Sequence, residues 1–216
     1  MLLDLSHPIT PEMSLFPGTP SPEQLPLATV EADGWRETAL RLTSHTGTHL
    51  DAPAHVLSGG RTLDQFPLDA FRGSAWTVDC TEQAFIGPDF LRTGLSEQRP
   101  DFVLLRTGWD RFWGAPDYLT GFPVLTDAGA RFLAELGLKG VGVDALSFDP
   151  ADSAKLPVHH ILLGAGLLQV ENLAGLDQLT GRWAELFLFP LPWPDADGGP
   201  VRAVARIEEK STLSPK

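Results

Sequence analysis

A single short segment of this chain concentrates four side chains of the types that can bind metals or transfer protons. Residues 44–55 read Ser-His-Thr-Gly-Thr-His-Leu-Asp-Ala-Pro-Ala-His, which sets three of the chain's six histidines beside a carboxylate. Gly47, Pro53 and the β-branched Thr46 and Thr48 disfavour a helix here. The segment is therefore predicted to be extended and interrupted rather than a regular element of the core.

The spacing of the polar residues sets a geometric condition on this segment. In an extended chain His45, His49 and Asp51 point to the same side, because their positions have the same parity. A straight strand would hold the two histidines roughly 13 Å apart, at about 3.3 Å per residue, whereas ligands approach an ion to about 2.0–2.2 Å. Gly47 permits the bend or bulge that would bring them together. The sequence predicts a bent strand edge that presents these three side chains to zinc or manganese.

The array resembles the signature of the cyclase-type metal-dependent hydrolases, a family that includes bacterial kynurenine formamidases (arylformamidases) and isatin hydrolase. Other segments that match the family are Phe16-Pro17-Gly18, Leu-Leu-Arg-Thr-Gly-Trp at 104–109, Gly-Val-Gly-Val-Asp-Ala-Leu-Ser at 140–147, Pro157-Val158-His159 and Glu171-Asn172-Leu173. The resemblance thus covers most of the chain. It implies one α/β domain over residues 1–216, with the swivelling β/β/α architecture, a mixed sheet and few helices.

The resemblance also implies a set of metal ligands. They are His45, His49, Asp51, His159 and Glu171. Asp51 would bridge a first ion to a second one, with two zinc ions favoured and manganese as the alternative. The adjacent His160 stays open as a substitute for His159, which is favoured because it occupies the family's Pro-x-His position, twelve residues before Glu171.

Two further residues receive roles from the resemblance. His55 would be the catalytic general acid/base and would pass a proton to the leaving nitrogen. Phe16 would lie beside the substrate. The implied activity is metal-dependent amide hydrolysis, with N-formylkynurenine converted to kynurenine and formate by a metal-activated water.

The substrate is less well indicated than the chemistry. The formamidases carry Trp-Pro-Gly-Asp where this chain has Phe16-Pro17-Gly18-Thr19. Another aryl or cyclic amide, such as isatin, is therefore the alternative substrate. A different class of protein, a non-catalytic metal-binding protein, is disfavoured because it would need ligands but no additional histidine at position 55.

Composition excludes several other functions. The formal charge is −12, from 28 acidic and 16 basic residues, whereas nucleic-acid binding needs a basic surface. Cys80 is the only cysteine, which excludes intramolecular disulfides and cysteine-based zinc sites, and it is predicted to be an inert strand residue. Serine-nucleophile, phosphate-loop and dinucleotide motifs are missing.

The expected location and assembly follow from other features. The N-terminal residues lack the basic region of a signal peptide, and the longest apolar run, residues 161–170, is far shorter than the ~20 residues that span a bilayer. We therefore expect a cytoplasmic protein that binds neither nucleic acid nor membrane, with a small aryl amide as its partner. The family resemblance implies a homodimer or homotetramer.

Apolar patterning and turn residues predict the secondary structure. Strands are predicted at 2–5, 39–43, 75–80, 102–107, 141–146, 167–170, 186–189 and 201–207. Helices are predicted at 127–136 with Thr126 as N-cap, from about Asp89, and over 159–163. The Pro- and Gly-rich stretches 16–26 and 190–200 are predicted loops. Asp144 and Asp149 are interpreted as turn or cap residues, and Trp109, Phe112 and Trp113 as core residues in preference to a pocket wall.

Overall fold

The computed structural model describes residues 1–208, and within them one mixed, curled sheet forms the framework. The strands are β1 Leu2–Asp4, β2 Glu23–Ala28, β3 Glu37–Arg41, β4 His49–Asp51, β5 Arg72–Asp79, β6 Phe85–Ile86, β7 Phe102–Arg106, β8 Val124–Leu125, β9 Gly140–Val143, β10 Leu168–Glu171, β11 Trp183–Phe187, β12 Gly198–Pro200 and β13 Val204–Arg206. The α-helices are α1 Val30–Asp33, α2 Pro88–Leu95, α3 Asp127–Ala134 and α4 Pro157–Gly164.

Nine of these strands pair in the order β1-β13-β11-β5-β7-β9-β10-β4-β12. The central strands β5, β7, β9 and β10 run parallel, and both flanks are antiparallel. Parallel strands are buried on both faces and carry continuous apolar runs, which matches the sequence of β7, Phe-Val-Leu-Leu-Arg. The predicted α/β class, with a mixed sheet and few helices, is confirmed.

The two faces of the sheet cover two separate apolar cores. On β7, Phe102 and Leu104 belong to one core, whereas Val103 and Leu105 belong to the other, because side chains alternate along a strand. The second core is covered by the three longer helices. Their buried residues there include Leu91 of α2, Leu133 of α3 and Leu162 of α4.

Most predicted elements are confirmed with boundaries shifted by one to three residues, as expected where helix and strand ends fray. Thr126 caps α3 by accepting a hydrogen bond from the Gly129 amide. Strand β9 ends at Val143, three residues before the end of the predicted strand 141–146. The chain turns at Asp144, whose carboxylate accepts hydrogen bonds from the Thr107 and Gly108 amides. Cys80 is buried, but it lies one residue beyond the end of β5 and not within the strand, where it was predicted.

Both predicted loops are wrong in part. The first contains the start of β2, which pairs with β3 in a two-stranded ribbon. Pro26 lies at an irregularity of that pairing, a position where a strand tolerates proline. The second loop contains β12, which pairs with β4 at the edge of the sheet. No helix within residues 1–208 has the length and apolar character needed to cross a membrane.

Candidate metal centre

The predicted ligands meet on two neighbouring strands. Strands β4 and β10 are antiparallel, with His49 opposite Glu171 and Asp51 opposite Gln169. Directly opposite residues point to the same face of a sheet, so these side chains gather on one face. The centre is buried there: His49 and Asp51 are 3% and 1% exposed.

His45 reaches this face from outside the strand. The predicted bent strand edge is correct in its bend but wrong in its extent, because β4 begins only at His49 and His45 lies in the preceding turn. Gly47 has φ +65°, a left-handed conformation that glycine adopts without strain. The turn brings His45 Nδ1 to 2.7 Å from Asp51 Oδ1, which is also 3.2 Å from His49 Nε2.

A second group of ligands uses the other oxygen of Asp51. His159 is carried by α4, and its Nε2 lies 3.2 Å from Glu171 Oε1 and 3.8 Å from Asp51 Oδ2. Asp51 therefore lies between the two groups. His160, the open alternative, is exposed on the outer side of the same helix.

The hydrogen bonds of the two buried histidines orient lone pairs toward the carboxylates. His159 Nδ1 lies 2.7 Å from Asp149 Oδ2, and His49 Nδ1 lies 2.8 Å from the Gly47 carbonyl oxygen. Both partners only accept, so each Nδ1 carries the hydrogen, and Nε2 of the neutral ring is an acceptor that faces carboxylate oxygens. Glu171 Oε1 is buried without a hydrogen bond in good geometry. Opposed acceptors of this kind can hold a cation between them, and their nitrogen and oxygen atoms suit a divalent metal ion.

Protonation takes the place of the cations in the metal-free protein. Burial lowers the pKa of His45, but Asp51 and then Asp197 outweigh it and raise the value to about 9. Burial likewise lowers the pKa of His159, but Asp149 and Glu171 outweigh it and raise the value to about 10. Burial raises the pKa of Asp51, yet His49 and His45 hold it well below the usual range. The centre is thus strongly predisposed to positive charge.

His55 lies beside both ligand groups. It ends a single 3-10 turn, Pro53–His55, that follows β4. The centre of its ring is 4.1 Å from that of His45 and 5.9 Å from that of His159. Burial is the main cause that lowers the pKa of His55, against the attraction of Asp51. A half-buried neutral imidazole therefore faces the centre at neutral pH.

Asp197 is a site residue that the sequence did not reveal. Its Oδ2 lies 3.0 Å from His45 Nε2 and 3.8 Å from His55 Nδ1, so these three residues form a third possible ligand group. The chain passes very close to His45 here, since a Cβ at Gly198 would lie 2.7 Å from His45 Cε1. The Asp-Gly-Gly sequence after a proline-rich stretch was the only available signal.

Asp149 has a larger role than the cap predicted for it. Its carboxylate accepts hydrogen bonds from the Val158 and His159 amides at the start of α4, which confirms the cap. The same carboxylate holds His159 Nδ1. Asp144 was also predicted to be a turn or cap residue. Its carboxylate accepts hydrogen bonds from the Thr107 and Gly108 amides, in the turn that follows β7.

The turn around Gly47 is fixed by buried polar contacts. The Gly47 carbonyl accepts hydrogen bonds from His49 Nδ1 and from Asn172 Nδ2, at 2.8 Å and 3.0 Å. Asn172 has φ +57°, and its side-chain oxygen accepts a hydrogen bond from the Tyr118 hydroxyl. Asn172 belongs to one of the segments that match the family, and these contacts show that it holds the Gly47 turn in place.

The predicted aromatic residues divide into two groups. Phe16 is 42% exposed and begins a tight turn that the Thr19 amide closes onto the Phe16 carbonyl. Trp109, Phe112 and Trp113 pack against the second core, as the core interpretation predicted. The proximity of Phe16 to a substrate stays a prediction.

The sequence and the fold have counterparts among known proteins. Residues 3–150 match the cyclase family, described as "Putative cyclase". The chain belongs to this family. The chain is 37% identical over 214 residues to the kynurenine formamidase of Salinibacter ruber, with 95% of this chain and 97% of that protein covered. It is 33% identical over 205 residues to the kynurenine formamidase of Bacillus cereus strain ATCC 14579, with 94% and 96% covered.

Solved structures of similar proteins extend this likeness to the whole fold. Isatin hydrolase A from Labrenzia aggregata, bound to benzyl benzoate, superposes with a TM-score of 0.87 at 29% identity, covering 95% of this chain and 93% of that one. A potential metal-dependent hydrolase with cyclase activity superposes with a TM-score of 0.80 at 29% identity, covering 95% and 96%. The predicted family architecture and the class of metal-dependent amidohydrolase are confirmed.

Proposed function

We propose that this protein hydrolyses N-formylkynurenine to kynurenine and formate. The observation that carries the proposal is the pair of ligand groups that share Asp51, with a neutral histidine, His55, beside both of them. A metal-binding protein without activity has no use for that additional imidazole. The names of the relatives from Salinibacter ruber and Bacillus cereus support this substrate.

In the proposed centre, His45, His49 and Asp51 hold one zinc ion, and Asp51, His159 and Glu171 hold another. Zinc is favoured over manganese because imidazole nitrogens make up half of the donors. Bound divalent ions supply two kinds of chemistry: they lower the pKa of water and polarise a carbonyl oxygen. Asp149 and the Gly47 carbonyl keep the ring hydrogens of His159 and His49 on the side away from the centre.

His55 is proposed to move the proton that hydrolysis requires. Water adds its oxygen to the formyl carbon, the C–N bond breaks, and the leaving nitrogen gains a proton. His55 Nδ1 faces Asp197 Oδ2 at 3.8 Å, which leaves Nε2 to accept the proton from water and deliver it to nitrogen. A half-buried histidine with a lowered pKa is neutral at pH 7 and can begin the cycle as a base, a role worth typically about 10²–10⁴-fold.

A cyclic amide such as isatin is the second candidate substrate. The likeness to isatin hydrolase A, with a TM-score of 0.87, favours it, as does the replacement of the formamidase Trp-Pro-Gly-Asp by Phe16-Pro17-Gly18-Thr19. The indole and carboxylate that the formamidases have in this segment would contact the substrate. Their absence from this chain does not change the proposed metal ligands. Both candidates require the same ions and the same proton transfer.

The deciding experiment compares the two substrates on one metal-stripped preparation, before and after zinc or manganese is restored. We expect metal-dependent hydrolysis of N-formylkynurenine with kcat/KM of about 10⁴ M⁻¹s⁻¹ or more. The reaction is monitored by the absorbance of the kynurenine that forms. Turnover of isatin alone would replace the substrate and keep the chemistry. No turnover of either substrate, with metal bound and the fold intact, would contradict the proposed activity.

We further propose that the protein works in the cytoplasm as a homodimer or homotetramer. The β2–β3 ribbon supports an oligomer, because Leu25, Leu27 and Leu40 are 51%, 63% and 65% exposed on it and an isolated two-stranded ribbon is marginally stable in water. Light scattering should give at least twice the 23.4 kDa mass of one chain. A monomer at micromolar concentration would contradict the assembly.

A further inference from the structure

Gln169 is a buried polar side chain for which the proposed chemistry has no use. It is completely buried in β10, and neither Nε2 nor Oε1 has a hydrogen-bond partner. Burying an amide without partners is costly, and an apolar residue at this position would avoid that cost. Such an unpaired group calls for an explanation.

The register of the sheet places Gln169 at the inner edge of the metal centre. Gln169 is paired with Asp51 on β4 and with Val141 on β9. Paired residues share a face of the sheet, and Glu171, two positions further along β10, shares it as well. Gln169 therefore occupies the boundary between the carboxylates of the centre and the apolar core.

On the core side of this boundary, Val141, which is paired with Gln169, belongs to the second apolar core. On the other side, the close contacts of the Asp51 and Glu171 carboxylates are with imidazole nitrogens, and a carboxylate has lone pairs for further hydrogen bonds. A buried amide without a partner thus occupies a position adjacent to two carboxylates on one face of the sheet.

We infer that Gln169 is a positioning residue of the metal centre, whose amide nitrogen donates a hydrogen bond to the carboxylates of Asp51 and Glu171 in the ion-bound protein. A neutral amide can orient these carboxylates without adding to their negative charge. The bond would fix the lone pairs that face the ions, as outer hydrogen bonds do in other metal centres. The inference rests on the proposed metal centre and concerns its affinity for ions.

The test replaces the amide by an apolar side chain of similar volume. For the Gln169→Leu variant we expect a melting temperature, in the metal-stripped state, equal to or above that of the wild type, because an unpaired buried amide is removed. Zinc affinity, measured by competition with a chromogenic chelator, should fall about 10–100-fold. A Gln169→Met variant, with an unbranched side chain of the same length, provides the same test if leucine prevents folding.

Val141→Ala is the matched control, since Val141 flanks Gln169 in the sheet on the side away from the centre. It should lower the melting temperature and leave zinc affinity unchanged. If both Gln169 variants bind zinc as tightly as the wild type, or if the control loses as much affinity as they do, the inference is wrong. Neither result would contradict the proposed metal centre. A wild-type protein that binds no zinc would overturn the proposed centre itself.

Discussion

The two ligand groups that share Asp51 are built in different ways. The first comes from one continuous segment, with His45 on a turn and His49 and Asp51 on the strand that follows. The second brings Asp51 together with a helix residue, His159, and the end of another strand, Glu171. The side chain of His45 is 25% exposed, whereas that of His159 is 4% exposed.

Because of this difference, we expect the two ligand groups to hold their ions with different strength. The first group lies nearer the solvent, next to the side chains of His55 and Asp197, which are 26% and 45% exposed. The second is embedded against the second core and held by the cap of α4. We expect the first ion to exchange readily and the second ion to be held more firmly, so that a chelator removes them in two phases.

The largest effect is expected where the two groups meet. The Asp51→Asn variant should lose both ions, because one carboxylate oxygen serves each group. Turnover should fall by at least about 10⁴-fold, equivalent to about 5.4 kcal/mol of activation free energy. Metal analysis by mass spectrometry and steady-state kinetics would measure the two losses.

Asp144→Asn is the control for this variant, since that carboxylate is equally buried but serves the Thr107 turn. It should lose stability and retain both ions. If Asp51→Asn loses one ion only, the two groups bind ions independently, which would contradict the shared role of Asp51.

The next effect separates proton transfer from metal binding. His55→Ala should lower turnover by about 10²–10⁴-fold with metal content unchanged, because His55 belongs to neither of the groups that share Asp51. His49→Ala should lose metal and turnover together. Equal metal loss in the two variants would assign His55 as a ligand.

A smaller effect should distinguish the second group from the first. Asp149→Asn removes the negative charge beside His159 and replaces one of the two accepting oxygens by an NH2 donor, so the affinity for one ion should fall about 10–100-fold while the affinity for the other is unchanged. Zinc titration monitored by calorimetry would resolve the two sites. The exposed Asp152→Asn is the control, and a uniform loss at both sites would contradict the separate roles.

The smallest effect concerns pH. The pKa values of His45 and His159 are raised in the folded metal-free protein, to about 9 and about 10, above about 6.5 in the unfolded chain. Protonation therefore stabilises the fold fully below pH 6.5, and this stabilisation is lost as the pH rises through 9 to 10. Urea midpoints of the metal-stripped protein should fall over that range, and bound zinc should reduce the fall. A flat or rising profile would exclude these protonated imidazoles.

The same contrast explains how much the sequence could predict. The first ligand group was found because its residues are adjacent in the chain and Gly47 marks the bend. His159 and Glu171 needed the family resemblance, since the pairing of β10 with β4 joins positions about 120 residues apart and leaves no local pattern. Asp197 was missed because its contact with His45 depends on β12 pairing with the same strand. The apolar runs predicted most strands, whereas the short strands β6, β8 and β12 gain their structure from their partners.

The most direct test of the shared centre is an anomalous difference map of the zinc-loaded protein, recorded at the zinc absorption edge. We expect two peaks about 3.5–4 Å apart, one beside His45 and His49 and the other beside His159 and Glu171, with Asp51 between them. A single peak among His45, His55 and Asp197, with none beside Glu171, would contradict the shared centre and would make His55 a ligand.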